Sequence, residues 1–456
     1  MNLISYVNGL LWCFKDKRII KNLEQLIHKI MENKTIRLFT IADDKKEYNR
    51  YKSLLDGSLK SVLDNNKISQ ALRDNSAEIM SKHKQITLIH DPCDIRKEYS
   101  QQLENLGKVL DLNKNVINGY YTFNTVAVDN KRLHLVDTKV YSNREAKFVS
   151  QEEIKLYHKG SLENSGYTKQ RAEIMSELIE TDNYINLSTV TKEQLQKTSL
   201  AFKEEQAKVE ITHILDSGFD NENLFNYIDK ELKDKFVIRL KLSRNSNEIY
   251  LDENSKEKHV KIKTVKFANK KRFPVTKVKI KNKIYQNASC LIEYDKIIFD
   301  KQKYIVVRVM LNDTKGEKIF KEPMLLLTNR HVKTATQAHG IYFAYLQRSK
   351  IEGVFKFLKD VLGWEDFQVR DFESIKNLIA LCFFIGGYFY EIESELIENI
   401  TIQYICELGG GKGKCTRYYF LQGLAKLLTY NAIEQFVEEK EISDQQFEQM
   451  RNVLNC

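Results

Sequence analysis

Proline and paired cysteines are the features that this sequence has least of. Only three prolines occur among 456 residues, and no Ser/Gly-rich stretch interrupts the chain, so long flexible linkers between domains are not expected. The seven cysteines include no Cys-x-x-Cys pair, which argues against a structural zinc site and against a disulfide framework. We therefore expect two to four tightly joined domains with reduced cysteines, in a cytoplasmic protein.

Long apolar runs are also missing. The longest, residues 378–390, is too short to span a bilayer and lacks flanking anchors. It is interpreted as a buried helix. The first residues carry no basic segment ahead of an apolar stretch, so no signal peptide is predicted. These patterns predict no membrane partner.

Positive charge is in modest excess, with a formal net charge of +10 and an isoelectric point near 8.9. Such an excess fits a nucleic-acid partner. It is shared by basic proteins that bind no polyanion, so charge alone leaves both interpretations open.

Hydrophobic periodicity divides the chain into five regions. Apolar residues recur first at helical spacing, then in alternating strands and helices, then at a period of two, and finally at helical spacing again. The order predicts a helical N-terminal region (a DNA-binding domain or a plain helical bundle), the first part of an α/β core, a β-rich insertion, the last helix of the core and a helical C-terminal region: 1–84, 85–242, 243–327, 328–369 and 370–456.

Within this scheme several boundaries are specific. A strand is predicted to end at Pro92, and a hairpin turn at Asp129–Asn130. In the insertion, Val260 to Phe267 alternates apolar and basic residues, which indicates a strand with one lysine-bearing face. Contact with DNA and simple solvation explain that face equally well. One long helix is predicted from about Lys333 to Leu362.

An acid, two bases and a tyrosine share one face of that long helix. Tyr345, Arg348, Glu352 and Lys359 are separated by three, four and seven residues, which places them in a stripe about 60° wide. Taken alone, this could be a solvent-exposed face with an Arg348–Glu352 ion pair.

Two aspartates at predicted strand ends, Asp91 and Asp216, give the stripe a chemical context. Two aspartates and one glutamate are the hard oxygen ligands that suit magnesium. Two-metal cleavage of a phosphodiester needs anionic ligands converging on ions about 3.5–4 Å apart. The sequence therefore suggests Asp91, Asp216 and Glu352 as a candidate metal-binding set.

Each aspartate has a neighbour that could replace it. Asp94 could take the place of Asp91, although a turn or cap role suits it. Asp220 could take the place of Asp216, although it is expected to cap the next helix.

Four further residues are candidates for contact with DNA or with these aspartates. Arg239 and Lys241 follow one another at strand spacing and either face DNA or are solvated. His90 and His213 are either partners of the aspartates or core histidines, and the core interpretation is favoured.

The spacing Tyr-x2-Arg-x3-Glu-x6-Lys resembles the signature of the insertion-sequence four family of bacterial DDE transposases. Leu88 to Lys97, Ile214 to Phe219 and Thr328–Asn329 are similar to further blocks of that family, so that the likeness covers roughly residues 85–385.

This resemblance implies an RNase H-like core with a mixed sheet, interrupted by a β-strand insertion. It implies that Asp91, Asp216 and Glu352 bind Mg²⁺, with Mn²⁺ as a substitute. DNA contacts are implied for Tyr345 and Arg348 near the cleaved end and for Lys359 at a phosphate.

The implied activity is cut-and-paste transposition. The 3′ strand is hydrolysed, a hairpin forms, and the freed end joins target DNA. The implied partners are the inverted-repeat ends of the element and the target DNA, with the protein as a nucleoid-associated homodimer. Two alternatives remain: another RNase H-fold nuclease, and an inactive remnant that only binds DNA.

Overall fold

The computed structural model describes residues 3–56, 63–129, 132–162, 166–244, 261–280, 283–299, 302–396, 398–443 and 445–448. Its first five elements are helices. These are α1 (Leu3–Leu11), α2 (Lys17–Asn33), α3 (Leu38–Ile41), α4 (Lys45–Leu55) and α5 (Asn65–Ile79). Aspartate side chains cap several of them: Asp64, for example, accepts a hydrogen bond from the Lys67 backbone N–H at the start of α5.

A strand-rich region follows. Its strands are β1 (Gln85–Arg96), β2 (Gly107–Leu110), β3 (Val116–Asp129), β4 (Arg132–Tyr141), β5 (Glu210–Leu215) and β6 (Lys235–Arg239). Between β4 and β6 lie α6 (Gln151–His158), α7 (Lys169–Glu180), α8 (Leu187–Glu205) and α9 (Glu222–Asn226). Asn130, from the predicted hairpin turn between β3 and β4, lies outside the described residues.

The pairing of five of these strands is that of an RNase H-like fold. Their order is β4-β3-β1-β5-β6. β3 runs antiparallel to β4 and β1, while β1, β5 and β6 are parallel. Parallel neighbours need crossover connections, and α8 and α9 supply them here. The predicted α/β class with a mixed sheet is confirmed.

The β-rich stretch continues the same sheet. Its strands are β7 (Asn269–Ile280), β8 (Lys283–Phe299), β9 (Gln302–Asn312) and β10 (Met324–Thr328). β10 pairs antiparallel with β6, and β9, β8 and β7 follow outward. The predicted strand from Val260 to Phe267 is wrong: Ile262–Thr264 form a 3₁₀ turn, and Val260 lies outside the described residues.

The remaining helices are α10 (Ala335–Leu346), α11 (Ser349–Leu362), α12 (Phe372–Glu391), α13 (Ile400–Leu408) and α14 (Arg417–Glu439). The single helix predicted from Lys333 to Leu362 is therefore two helices. Around residues 344–351 the backbone bonds run from i to i−3, as in Arg348 N–H to the Tyr345 carbonyl at 3.0 Å. This tighter 3₁₀-like turn separates α10 from α11.

Helices cover both faces of the sheet. On one face, α1–α5 and α10–α12 form the largest hydrophobic core, and on the other, α8 and α9 form a second core with residues such as Phe225 and Phe236. α12 is long and apolar enough to cross a membrane by composition, but nearly all of its residues are buried against other elements. The predicted buried helix is confirmed.

Candidate active site

Asp91 and Asp216 lie side by side because of strand register. The parallel β1–β5 ladder pairs Ile89 with Ile214, so two residues further Asp91 is level with Asp216. Level residues on neighbouring strands project from the same face of the sheet, about 5 Å apart at the backbone. This is the face covered by α10–α12.

The sequence predicts that β1 ends at Pro92, but this prediction is wrong. β1 continues to Arg96 by pairing with β3, with Pro92 opposite Phe123. On its other side the β5 ladder has stopped, so Pro92 leaves no bond of that ladder unmade. Asp91 therefore sits inside a strand but at the point where its parallel partner ends.

Asp94 lies on the opposite face from Asp91, since it is three residues further along the same strand. Its backbone carbonyl accepts a hydrogen bond from Lys359 Nζ at 2.6 Å. Of the two candidate aspartates, Asp91 is the one that faces Asp216 and Glu352, which supports the choice of Asp91.

Asp220 does not cap the next helix, contrary to the sequence prediction. Asn221 is the N-cap of α9. Asp220 accepts a hydrogen bond from the Lys241 backbone N–H at 2.9 Å and lies 3.5 Å from Arg244 Nη1. Its engagement elsewhere leaves Asp216 as the aspartate that faces Asp91.

Arg348 joins two of the three candidate carboxylates. Its Nη1 lies 3.0 Å from Asp91 Oδ2, and its Nη2 lies 3.0 Å from Glu352 Oε1. The helical spacing alone predicts the Arg348–Glu352 ion pair on a solvent-exposed face. The contact with Asp91 turns it into a bridge between α11 and the sheet.

Tyr345 and Arg239 contact the third carboxylate. The Tyr345 hydroxyl donates a 2.8 Å hydrogen bond to Asp216 Oδ1. Arg239 and Asp216 each directly follow the last pair of the β5–β6 ladder, and Arg239 Nη1 lies 3.9 Å from the same oxygen. Three acids and two arginines thus meet in one cleft.

The carboxylates differ in their affinity for protons. Burial raises the pKa of Asp91 to about 7; Asp216 and Glu352 add to the rise, while Arg348 opposes it. Burial would also raise the pKa of Asp216, but hydrogen bonds from the Ser217 backbone and the Tyr345 hydroxyl, together with Arg348, lower it overall. Of the two aspartates, Asp91 therefore binds a proton more readily, and burial is the main cause.

Lys359 and Lys241 are placed differently from these residues. Lys359 Nζ lies 2.9 Å from Glu365 Oε1, in addition to its bond to the Asp94 carbonyl. Lys241 lies beyond the end of β6 with an exposed side chain. The structure brings neither lysine into contact with the three carboxylates among the residues described.

His90, His213 and Asp234 form a buried chain of hydrogen bonds, which we call the relay. The sequence analysis does not predict the part that Asp234 takes in it. His90 Nε2 lies 2.9 Å from His213 Nδ1, and His213 Nε2 lies 3.1 Å from Asp234 Oδ2. Thr125 Oγ1 is 2.9 Å from the other His90 nitrogen. Both rings are core histidines whose hydrogen bonds join β3, β1 and β5 beneath the cleft. Only the strand register signals this relay.

Thr328 and Asn329 have a structural role at the end of β10. Asn329 Oδ1 accepts the Phe236 backbone N–H at 3.0 Å, and Thr328 Oγ1 donates to the Phe236 carbonyl at 2.6 Å. These bonds hold β10 against β6, and so help to position α10 over the sheet.

The three acids offer the right chemistry for Mg²⁺, namely hard oxygen donors on two strands and one helix. Within the described residues, no group of three His, Cys, Asp or Glu side chains is close enough to hold an ion as it stands. The Arg348 guanidinium takes up one oxygen each of Asp91 and Glu352. The residues fit a divalent cation in kind, provided that Arg348 releases them.

Together these features define an RNase H-like protein with a carboxylate cleft at the end of its parallel strands. Residues 188–385 match the family model described as Transposase DDE domain. The chain therefore contains a segment similar to the DDE domain of transposases. This segment includes Asp216, Tyr345, Arg348 and Glu352, and begins after Asp91.

No curated protein matches the chain. A cryo-EM structure of the piggyBac transposase synaptic complex with hairpin DNA is similar at 10% sequence identity and a TM-score of 0.41, over 99% of this chain and 81% of that chain.

Proposed function

We propose that this protein is a DDE transposase that cuts and rejoins DNA by metal-dependent phosphodiester chemistry. The observation that carries the proposal is the convergence of Asp91, Asp216 and Glu352 on one cleft, with the last two inside the segment similar to transposase DDE domains. Finer features follow from the sequence signature: a cut-and-paste element of the insertion-sequence four family, action as a homodimer, and a cytoplasmic, nucleoid-associated location.

Asp91, Asp216 and Glu352 would hold Mg²⁺, or Mn²⁺ in its place. When bound, such ions activate water and stabilise the charge that develops on the phosphodiester. The chain's own contribution is to keep Asp91 and Asp216 level on rigid strands and to bring Glu352 over them from α11. Positioning of this kind is a major part of catalysis in phosphoryl transfer.

Arg348 has a second role in this proposal. While it bridges Asp91 and Glu352, its guanidinium balances their charge. Once released, it can grip a DNA phosphate with the same planar fork. Tyr345 keeps Asp216 oriented, and Arg239 offers a further cation beside it.

The test is Mg²⁺-dependent excision from a plasmid that carries the element with its native flanks. Glu352→Gln should lower excision at least about 100-fold, since it removes a charged ligand while nearly preserving shape. Glu173→Gln, at an exposed position on α7, is the matched control and should excise like wild type.

Equal excision by wild type and Glu352→Gln would show that the carboxylate assignment is wrong. Cleavage without any joined product would favour the alternative of an RNase H-fold nuclease. Binding of the ends without cleavage by any of the proteins would favour a DNA-binding remnant.

A further inference from the structure

A strongly basic hairpin lies outside the carboxylate cleft. We call it the basic ribbon and define it as residues 269–280 of β7 and 283–288 of β8. From 269 to 288 the sequence has seven lysines and arginines and no acid. β9 pairs with β8 only from Ser289 onward. The outer part, from the Val275–Ala288 pair to the Ile280–Lys283 pair, is thus a two-stranded extension of the sheet.

Three cations of the basic ribbon are free of acidic partners among the residues that the structure describes. Lys270, Lys277 and Lys283 are exposed, and no ion pair joins them to a carboxylate within the part of the chain that the structure describes. Lys283 Nζ lies 4.8 Å over the ring of its own neighbour Tyr285. Like charges crowded in this way repel one another, and a polyanion laid along them would relieve that repulsion.

The base of the ribbon is attached to the helix that leads into the cleft. The Phe273 ring stacks on His339 of α10, with centroids 4.0 Å apart and planes 13° apart. Tyr345, which binds Asp216, follows His339 by six residues on the same helix, or about 9 Å along its axis. The ribbon is therefore held at a fixed, short distance from the carboxylates.

We propose that the basic ribbon binds B-form duplex DNA, with its lysines on the phosphates that border a groove. The major groove of B-DNA admits a two-stranded β-ribbon, whereas that of A-form RNA is too deep and narrow. Lys270 and Lys277 are seven residues apart, about 24 Å along a strand or roughly seven base pairs, and this odd spacing places them on opposite faces of the ribbon. This rests on the proposed function: the DNA held by the ribbon is the duplex flanking the cleaved bond.

The test measures how the dissociation constant for a fluorescein-labelled random-sequence duplex of 30 base pairs depends on salt. The ribbon variant carries Lys270→Gln, Lys277→Gln and Lys283→Gln. The control carries Lys155→Gln, Lys159→Gln and Lys169→Gln, which remove the same charge from exposed positions on and near α6 and α7. Each lost phosphate contact makes the negative slope of log K against log salt shallower by about 0.9. We expect the slope of the ribbon variant to be shallower than that of wild type by about 2–3, and the slope of the control to change little.

Equal slopes for wild type and the ribbon variant, or equally shallow slopes for both variants, would overturn the proposal. So would equally strong competition by duplex RNA. If the ribbon variant only aggregates, with an unchanged slope, its lysines protect the exposed sheet edge instead. Glu352→Gln should keep the wild-type slope while losing excision. Failure of DNA cleavage and failure of ribbon binding therefore give different results.

Discussion

At the scale of single residues, the cleft depends on how its negative charge is balanced. Asp91 is largely buried beside Asp216 and Glu352, and its pKa is raised to about 7. The guanidinium of Arg348 supplies a positive charge beside Asp91, at 3.0 Å from its Oδ2. Under the proposed function a divalent cation would do the same with a higher charge, and it would compete with Arg348 for the same oxygens.

If the three carboxylates of the folded protein bind Mg²⁺, the ion should stabilise the protein without any DNA. At about ten times its dissociation constant, a ligand that binds only the folded state adds about 1.4 kcal/mol of stability. In a chain of this size that corresponds to a rise of roughly 1–3 °C in Tm. Differential scanning calorimetry with and without Mg²⁺ measures it.

Asp91→Asn should abolish the Mg²⁺-dependent rise in Tm, since it removes a ligand from the centre of the cleft. The Glu173→Gln control should show the same rise as wild type. If Asp91→Asn and wild type gained equally from Mg²⁺, the ion would be binding somewhere else.

At the scale of elements, the segment made of α10 and α11 has a defined start and a defined end. Thr334 and Gln337 form a capping box at the start of α10. α11 ends at Gly363, whose φ of 64° lies in the left-handed region that favours glycine. Periodicity showed the apolar face of this segment but not the tight turn within it, because three- and four-residue spacings look alike over one turn.

Two glycines of this segment should respond to alanine in opposite directions. At Gly363 a new Cβ would lie 2.5 Å from Asp366 Oδ2 and 3.1 Å from Thr35 Cα, and the positive φ adds strain, so Gly363→Ala should destabilise by about 1–2 kcal/mol. At Gly353, in the middle of α11, nothing lies within 4 Å. Gly353→Ala should therefore stabilise by about 0.5–1 kcal/mol.

Urea denaturation of the two variants measures both effects, and each variant serves as the control for the other. Changes of the same sign would mean that α11 does not end at Gly363 in the way described.

At the scale of the whole molecule, the N-terminal helices and α12 belong to one core. The Tyr6 hydroxyl donates to the Phe384 carbonyl at 3.0 Å, and Asn377 Nδ2 donates to the Leu55 carbonyl at 2.7 Å. α12 also packs against β4 of the sheet. The N-terminal helices should therefore unfold together with the RNase H-like core, whatever their part in DNA binding.

Leu26→Ala tests this cooperativity from a distance. Leu26 is fully buried in α2, so its truncation should cost about 2–5 kcal/mol. In a Trp12→Phe background the remaining tryptophan is Trp364, which is fully buried just after α11. Leu26→Ala should shift the urea midpoint seen by Trp364 fluorescence as far as that seen by far-UV circular dichroism.

An unchanged Trp364 midpoint in Leu26→Ala would show that the N-terminal helices unfold on their own. Leu112→Ala, at a residue that is 84% exposed, is the control and should shift neither midpoint appreciably.

The sequence by itself determined the class of fold and the buried helix α12, and it offered Asp91, Asp216 and Glu352 as candidates for one site. Hydrophobic periodicity is a local property, and the spacing of Tyr345, Arg348 and Glu352 can be read directly along the chain. The division into five regions and the roles of Lys359 and Lys241 stay predictions.

Only the tertiary structure decided which residues meet. Asp91 and Asp216 are level because of strand register across 125 positions, and Arg348 reaches Asp91 because α11 packs over β1. The same long-range pairing extended β1 past Pro92 and took Asp220 away from its expected cap. Contacts between distant segments depend on how whole elements pack, and no local pattern in the sequence records that packing.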